Sequence, residues 1–401
     1  MQSKIPLFAR QPIFDTDLKI VAHELLFRGD AVSGEVATAD VLLSAFDQSV
    51  FEENTTNLPV FVNFPAQILL NVPRLDKSRL VIEVLEDVVV TKRLVAAIAS
   101  LHAEGYQIAL DDYVHTPEFE PLLQYADIIK LDVLALSTDE LDHMVSVLRR
   151  PGRKLLAEKV ETHAVYQHCQ KLGMDFYQGY FFAKPNIVHG TAVGANGATV
   201  LNLLAALQQP GMSAEKLEQI VLTDAVLTFR IIKLVNSAAY KRANEIQSVA
   251  GAISMLGLRR ISAFASLLSL SNLEDKPSEL GVYTALRAQL CQQLGQLYKL
   301  NFAQESLFAL GVLSCADAYF DQPIAELASN LPVQEEFKLA LLDRRGLLGA
   351  VLKVAQNYQE GSWDSLDWQE FAAFGFTQEL ADEAYLNSLT WLGENQYVLA
   401  L

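Results

Sequence analysis

The first half of the chain alternates short apolar runs with stretches of helical periodicity, and this alternation constrains its fold more than any other feature. The apolar runs are rich in β-branched residues, and helix-like stretches such as Thr91–Glu104 stand between them. The predicted strands are Lys19–Phe27, Val60–Phe64, Leu80–Leu85, Gln107–Leu110, Ile128–Leu131, Lys154–Val160 and Phe176–Phe182. Parallel strands need crossover connections, which helices commonly supply. Seven or eight such strands in about 190 residues favour a closed (βα)8 barrel of the TIM type over an open sheet.

The second half of the chain has a different pattern. The segment 188–199 is rich in glycine and other small residues, and amphipathic helices dominate after it. The predicted helices are Val200–Leu207, Ala214–Leu222, Ala225–Ser237, Val249–Leu256, Arg259–Leu270, Val282–Leu297, Glu305–Phe320 and Pro332–Leu342. Ser213 and Asp224 are placed to cap two of them. We therefore predict an α/β barrel over residues 1–192 followed by an all-α domain over residues 193–401.

The charge balance excludes several classes of partner. Residues 1–190 carry 17 basic and 26 acidic side chains, and the whole chain has a net charge of −17. Neither half offers the basic face that binding to a DNA or RNA duplex requires. No apolar run reaches the roughly 20 residues that cross a bilayer, and the first residues lack a signal-peptide pattern. We therefore expect a cytoplasmic protein with no membrane association.

Cysteine and histidine restrict the chemistry further. The chain has three cysteines, Cys169, Cys291 and Cys315, which are too few and too far apart for a disulfide framework or a CxxC zinc site. All seven histidines lie within residues 1–190, and residues 191–401 contain none. Chemistry that depends on imidazole is therefore not expected in the helical domain.

Polar residues recur near the ends of the predicted strands. They are Glu24, Asn63, Glu83, the pair Asp111 and Asp112, Lys130, Glu158 with Glu161, and Gln178. From Asn63 onward, successive strands contribute one at spacings of 20, 28, 19, 28 and 20 residues, each the length of one βα unit. The carboxyl ends of barrel strands share one mouth, so these side chains are expected to converge there.

Convergence of so many acids predicts a metal site. A lone acid at a strand end usually meets solvent, but several close carboxylates repel one another, and one lysine cannot neutralise them all. Glu24, Asn63, Glu83 and Asp111 offer the oxygen ligands that Mg²⁺ or Mn²⁺ prefers, and Asp112 could hold a second ion nearby. Two such ions are used for in-line displacement at phosphorus. The predicted chemistry is metal-assisted phosphodiester hydrolysis.

These motifs, in this order, resemble the EAL domain family of cyclic-di-GMP phosphodiesterases over residues 1–190. The naming motif reads Glu24-Leu25-Leu26 here, and Gln178-Gly179-Tyr180 is followed by Lys184-Pro185. The resemblance implies a two-metal site, with Asp112 on the second ion, Lys130 helping to hold the attacking water and Glu158 in the network of metal and water. It also implies cyclic-di-GMP contacts from Leu26, Arg28 and Gln178, inhibition by Ca²⁺, and a homodimer.

The loop after the paired acids departs from the family pattern. Family members continue with Phe-Gly-Thr-Gly, whereas this chain reads Tyr113-Val114-His115-Thr116-Pro117. Glycine allows backbone angles that Val114 and Thr116 resist. Glu161, which tethers this loop in the family, is present. Two interpretations remain open: an active phosphodiesterase, or a degenerate domain that serves as a cyclic-di-GMP receptor or a protein-interaction scaffold.

The helical half resembles the HDOD domain, a relative of HD-type metal phosphohydrolases. The resemblance rests on FRIIKLVNSAAY at 229–240 and VAGAISMLGL at 249–258. Where an HD-type enzyme has His-Asp, this chain has Ser314-Cys315. Cys315 is expected to be a buried structural residue rather than a nucleophile, and Asn236 either a helix C-cap or a buried anchor for a loop. The resemblance implies a regulatory or scaffolding domain that binds a protein partner.

Overall fold

The chain divides into two compact units. The computed structural model describes residues 8–27, 58–72, 75–183, 200, 203–204, 212–236, 246–270, 276–330 and 334–395. The units are Met1–Phe181 and Phe182–Leu401. The predicted domain boundary at 192/193 falls outside the described residues and stays a prediction. No helix within the described ranges is long and apolar enough to cross a membrane.

The first unit is a closed barrel of eight strands, as predicted. The strands follow one another around the barrel in chain order: β1 Phe8–Phe14, β2 Ile20–Phe27, β3 Val60–Phe64, β4 Leu80–Val84, β5 Gln107–Leu110, β6 Ile128–Asp132, β7 Lys154–Glu158 and β8 Phe176–Gln178. Neighbouring strands from β2 to β8 pair in parallel. All seven predicted strands are present. The last is shorter than predicted, because a 3₁₀ turn at Tyr180–Ala183 follows it.

The strand β1 is the element that the periodicity did not predict. It pairs antiparallel with both β2 and β8 and so closes the barrel. A tight turn at Asp15–Lys19 reverses the chain, with the Asp15 carboxylate accepting N–H bonds from Asp17 and Lys19 at 2.9 Å. Proline within Gln11-Pro12 lacks a backbone N–H, which makes this run look unlike a strand in the sequence.

Helices connect the strands, and side chains cap the N-termini of the three longest. Those described are α1 Ala66–Leu69, α2 Lys92–Glu104, α3 Glu120–Leu123, α4 Thr138–Leu148 and α5 His163–Lys171. The side chain of Thr91 caps α2, and Gly105 ends it with φ +95°. Ser137 and Glu140 form a reciprocal capping box at the start of α4.

A layer of apolar side chains fills part of the barrel interior. It consists of Ile13, Ala22, Phe61, Val81, Ala109, Ile128 and Leu156, with Val21 and Phe176 packed against it. Successive side chains of a strand point to opposite faces, so the residue two positions along each strand faces inward again. This layer is therefore the floor on which the next inward-facing residues stand.

The second unit is helical over its described ranges. Its helices are α6 Ala214–Leu222, α7 Ala225–Val235, α8 Val249–Leu256, α9 Leu258–Leu270, α10 Ser278–Leu297, α11 Gln304–Leu313, α12 Ala316–Phe320, α13 Ile324–Asn330, α14 Glu335–Asp343, α15 Gly346–Gln359, α16 Trp368–Ala372 and α17 Gln378–Glu394. Ser213 and Asp224 cap α6 and α7 as predicted. The single helix predicted at Glu305–Phe320 is wrong: it breaks at Ser314, whose hydroxyl donates to the Gly311 carbonyl.

Asn236 serves in both of the roles considered for it. It is the C-cap residue of α7, and its amide Nδ2 donates to the Ile232 carbonyl at 2.9 Å. The same amide donates to the Ile246 carbonyl at 2.7 Å, and its Oδ1 accepts the Ile246 N–H at 2.8 Å. One side chain thus ends the helix and fastens the chain ten residues later.

Candidate active site

The predicted polar residues stand two positions beyond the apolar floor, strand by strand. Glu24, Asn63, Glu83, Asp111, Lys130, Glu158 and Gln178 follow Ala22, Phe61, Val81, Ala109, Ile128, Leu156 and Phe176. Since the side-chain period of a strand is two, all seven belong to the inward face. On antiparallel β1 the corresponding residue lies two positions earlier than Ile13 and is Gln11. The floor therefore carries a continuous polar layer at one end of the barrel.

The centre of this layer is the ammonium group of Lys130, which is fully buried. Four carboxylates surround it: Lys130 Nζ lies 2.5 Å from Glu83 Oε1, 2.7 Å from Asp111 Oδ1 and Glu158 Oε1, and 3.4 Å from Glu24 Oε2. These contacts are ion pairs between one ammonium and four carboxylates. If all five groups are ionised, the cluster carries a charge of −3.

Two amides hold Glu24 in place. Asn63 Nδ2 donates to Glu24 Oε1 at 3.1 Å, and Gln178 Nε2 donates to Glu24 Oε2 at 2.5 Å. Gln178 Nε2 also contacts Gln11 Oε1 at 3.0 Å, which ties β1 to β8. Both oxygens of Glu24 therefore have donors, and its carboxylate is fixed across three strands.

Burial and mutual repulsion shift the ionisation of the cluster. Burial raises the pKa of Glu83 well above its ordinary value, and the nearby Glu24 adds to the shift. Burial likewise raises the pKa of Glu158, to about 8. Burial alone would lower the pKa of Lys130, but the surrounding carboxylates outweigh it and raise that pKa. The cluster thus keeps its lysine charged and is short of positive charge.

The residues of this cluster fit a divalent cation. Asn63 Oδ1, Glu83 Oε2, Glu158 Oε2 and Gln178 Oε1 are buried oxygens without a hydrogen-bond partner. Unpaired buried oxygens are costly, and hard oxygen ligands suit Mg²⁺ or Mn²⁺. No group of three or more acids, histidines or cysteines in the described ranges forms a ready-made metal site, and the Lys130 ammonium lies among the carboxylates, 2.5 Å from Glu83 Oε1. The unpaired oxygens and the excess negative charge remain for a cation beside it.

A second ionic cluster involves Asp112. Lys159 Nζ lies 3.1 Å from Asp112 Oδ2 and 2.5 Å from Asp132 Oδ2. Asp112 follows β5, Asp132 ends β6 and Lys159 follows β7, so three adjacent strands contribute. Asp112, which the sequence assigns to a second metal ion, is therefore paired with a lysine in this structure.

The loop after Asp112 is anchored at its start. The Asp111 N–H donates to the Val84 carbonyl at 3.0 Å, and the Tyr113 N–H donates to the Lys130 carbonyl at 3.0 Å. The Tyr113 ring is buried, its hydroxyl lies 3.1 Å from His115 Nδ1, and its edge packs against Phe119. The buried ring of Tyr113 therefore holds the start of this loop against the barrel.

The remaining predicted residues lie apart from the central cluster or outside the described residues. Leu26 is half-buried near the end of β2, opposite Ala9. Glu161 is exposed, three residues past β7. Arg28 and the Lys184-Pro185 pair fall outside the described residues. The substrate contacts of Leu26 and Arg28 and the tethering role of Glu161 stay predictions.

Sequence reasoning missed Gln11, Lys159 and the pairing of Asp132. Gln11 was missed together with its strand, although the Gln-x-Ile alternation of β1 matches the inward face. Lys159 lies between the motif residues Glu158 and Glu161, and its partners are 27 and 47 residues away in the chain. No local sequence pattern predicts an ion pair between residues so far apart in the chain.

The second unit has a buried polar network where an HD-type enzyme would hold metal. At its centre Arg287 donates through Nε to Gln359 Oε1 at 2.9 Å, through Nη1 to Cys315 Sγ at 3.6 Å and through Nη2 to the Tyr283 hydroxyl. Glu360 Oε1 lies 3.5 Å from Nη2. Cys315 is buried and free, as predicted. Its neighbours make it part of a packed core, and residues 191–401 contain no histidine.

Two family models match the chain in sequence. Residues 52–185 match the EAL domain, and residues 197–316 match the HDOD domain. Among solved structures, BlrP1 of Klebsiella pneumoniae in a manganese/cy-diGMP complex is similar over 45% of this chain and 56% of that chain, at 20% identity and a TM-score of 0.39.

Two relatives match nearly the whole chain. Cyclic di-GMP phosphodiesterase CdgJ of Vibrio cholerae serotype O1 is 30% identical over 395 residues, which are 96% of this chain and 91% of that protein. Uncharacterized protein YuxH of Bacillus subtilis is 30% identical over 403 residues, or 96% of this chain and 97% of that protein. The chain therefore belongs to the family of CdgJ and YuxH, and it carries an EAL domain followed by an HDOD domain.

Proposed function

We propose that this chain hydrolyses cyclic-di-GMP to linear pGpG at the polar layer of its barrel, with the help of a divalent cation. The observation that carries the proposal is the buried cluster of four carboxylates around the single ammonium of Lys130. The full-length similarity to a protein named as a cyclic di-GMP phosphodiesterase supports the choice of substrate.

The proposed cation ligands are Glu24, Asn63, Glu83 and Asp111, and the ion is Mg²⁺ or Mn²⁺. Asn63 Oδ1 and Glu83 Oε2 are buried oxygens without partners, which supports their assignment. A divalent cation held there would act as a Lewis acid toward the phosphodiester oxygens. The fixed position of Glu24, between Asn63 and Gln178, prepares one ligand before any ion binds.

The other residues are assigned to water and substrate. Lys130 would orient the attacking water through its ammonium, and Glu158 would accept a hydrogen bond from that water through Oε2. Water adds to phosphorus while the P–O bond to a ribose 3′ oxygen breaks, and that oxygen leaves with a proton as a hydroxyl. Gln178 completes the site, and Leu26 and Arg28 would contact the nucleotide.

The test is product analysis with the purified full chain. Cyclic-di-GMP is incubated with protein and Mg²⁺ or Mn²⁺, and pGpG is quantified by liquid chromatography. We expect turnover that Asp111→Ala abolishes, while Asp175→Ala, which removes a partly exposed carboxylate paired with Lys154, leaves it unchanged. Product formation no greater than that of Asp111→Ala would refute hydrolysis.

A receptor without turnover is the second candidate, and the altered loop favours it. Val114 and Thr116 stand where the family pattern has glycines, and the buried Tyr113 before them is bonded through its backbone to β6, so the loop has less conformational freedom. We expect Ca²⁺ to support binding of cyclic-di-GMP but to inhibit its hydrolysis. Calorimetry with cyclic-di-GMP and Ca²⁺ therefore measures binding separately from turnover and distinguishes a receptor from an enzyme. Binding without product in Mg²⁺ or Mn²⁺ identifies a receptor, and no binding identifies a scaffold.

For the helical domain we propose a regulatory or scaffolding role through a protein partner. The absence of histidine from residues 191–401 supports a role without catalysis. A homodimer and a cytoplasmic location are also proposed. Sedimentation of the full chain with and without cyclic-di-GMP tests the homodimer. A measured mass equal to that of one chain at every protein concentration would exclude it.

A further inference from the structure

The two ionic clusters at the mouth of the barrel differ in how their oxygens are satisfied. Around Lys130, buried side-chain oxygens of Asn63, Glu83, Glu158 and Gln178 have no hydrogen-bond partner. Around Lys159, each oxygen of Asp112 and Asp132 has a donor. Lys159 Nζ donates to Asp112 Oδ1 at 3.3 Å, to Asp112 Oδ2 at 3.1 Å and to Asp132 Oδ2 at 2.5 Å. Asp132 Oδ1 accepts the N–H groups of Leu134 and Ala135 at 2.8 and 3.1 Å.

The cluster around Lys130 also has a larger excess of carboxylates over ammonium groups than the cluster around Lys159. One ammonium faces four carboxylates in the first cluster, and one faces two in the second. The first cluster has three more carboxylates than ammonium groups and also has unsatisfied buried oxygens, and both conditions favour a divalent ion. In the second cluster the ammonium faces only two carboxylates and contacts both of them, so a divalent ion between Asp112 and Asp132 would have to displace Lys159.

The backbone indicates that this lysine is held in place. Asp112 and Lys159 have φ angles of +39° and +56°, in the left-handed region that residues with a side chain rarely adopt. Such angles persist where the surrounding structure fixes them. The ion pair joins the two strained positions to each other. About half of the Lys159 side chain remains exposed, so its charge faces the open mouth rather than the core.

We propose that Lys159 is a built-in cation of the active site, taking the place beside Asp112 that a second divalent ion would otherwise take. The chain would then load one metal ion, at Glu24, Asn63, Glu83 and Asp111. The ammonium of Lys159 would supply the second positive charge toward the phosphodiester. This inference rests on the proposed function, and it replaces the expectation that Asp112 binds metal.

The experiment counts ions rather than products. Calorimetry and electron paramagnetic resonance are recorded with Mn²⁺ on the full chain and on Lys159→Gly, which suits the left-handed backbone. We expect one tightly bound Mn²⁺ in the wild type, with the spectrum of an isolated ion. In Lys159→Gly we expect two, with the spectrum of a magnetically coupled pair.

Matched variants assign the second ion. Lys154→Gly removes a lysine from the start of the same strand and is expected to leave one ion. The double variant Lys159→Gly/Asp112→Asn is expected to lose the ion that Lys159→Gly gained. Two coupled ions in the wild type, or a count in Lys159→Gly that does not rise, would overturn the inference. Neither result bears on whether pGpG forms, so the proposed function is judged separately.

Discussion

Replacing Lys130 by methionine should destabilise the barrel more than any other single lysine substitution in its described part. The side chain is fully buried, and its ammonium lies within 3.4 Å of four carboxylates. Removing one partner of a buried ion pair costs about 3–5 kcal/mol, because the other charge is left uncompensated. Lys154→Met, at an exposed pair with Asp175, should cost no more than about 1 kcal/mol.

The effect should depend on pH and on divalent ions. The pKa of Glu83 and that of Glu158 are already raised in the folded state, so the folded cluster binds protons more readily than the unfolded chain does. Stability from this source is complete below pH 4.5 and is lost as the pH rises toward about 8. The deficit of Lys130→Met should therefore be smaller at pH 5.5 than at pH 7.5. Added Mn²⁺ should reduce it as well.

The measurement must report on the barrel itself. All three tryptophans, Trp363, Trp368 and Trp391, belong to the helical unit, so their fluorescence does not follow the barrel. Native-state hydrogen exchange of peptides from the strands, at increasing urea, gives the free energy of opening for the barrel. If Lys130→Met fails to fold, the double variant Lys130→Met/Glu83→Leu should recover part of the loss. A deficit for Lys130→Met no larger than that of Lys154→Met would refute the reasoning.

Three further predictions concern single positions. Gly179 has φ +141°, and a Cβ there would lie 2.2 Å from the Val160 carbonyl oxygen. Gly179→Ala should therefore lower the free energy of barrel opening, measured by hydrogen exchange, by about 3 kcal/mol or more. A change below about 1 kcal/mol would contradict this. Asn236→Ala breaks both hydrogen bonds to Ile246, so it should lower the free energy of unfolding of the helical unit by about 2 kcal/mol. Urea unfolding followed by tryptophan fluorescence measures this change, and an unchanged midpoint would count against the prediction. Burial lowers the pKa of His23 to about 3, so its contribution to stability is present above pH 6.5 and is lost as the pH falls toward 3, by about 2 kcal/mol at pH 5. His23→Gln should lack this part of the acid sensitivity, and equal slopes for both proteins would disprove it.

Local sequence patterns located most of the barrel. The strands Val60–Phe64 and Gln107–Leu110 match their predicted bounds, because each is a short apolar run with clear ends. The strand β1 was missed because Pro12 interrupts its pattern and because its partners lie elsewhere in the chain. In the helical unit, the periodic pattern continues through Ser314 and does not reveal the break between α11 and α12.

The site could be predicted as a set of residues but not as a set of pairs. The spacing from Asn63 to Gln178 follows the length of the βα unit, so convergence of these side chains could be expected. Which acid faces which lysine depends on strand order and on side-chain reach, and the sequence does not encode these locally. Lys159 illustrates this, since its partner Asp112 is 47 residues away.

The closure of the barrel by β1 has a consequence for the order of folding during synthesis. β1 pairs with β8, and Gln11 meets Gln178 across 167 residues of chain. At about 5–20 residues per second, roughly 8–33 s separate the synthesis of these two residues. Until Gln178 emerges, the first strand has β2 as its only barrel neighbour and Glu24 lacks one of its two amide donors. The complete polar layer, with Glu24 held by both amides, is therefore among the last features of the barrel to form, and a nascent chain shorter than about 180 residues should carry the acids without this arrangement.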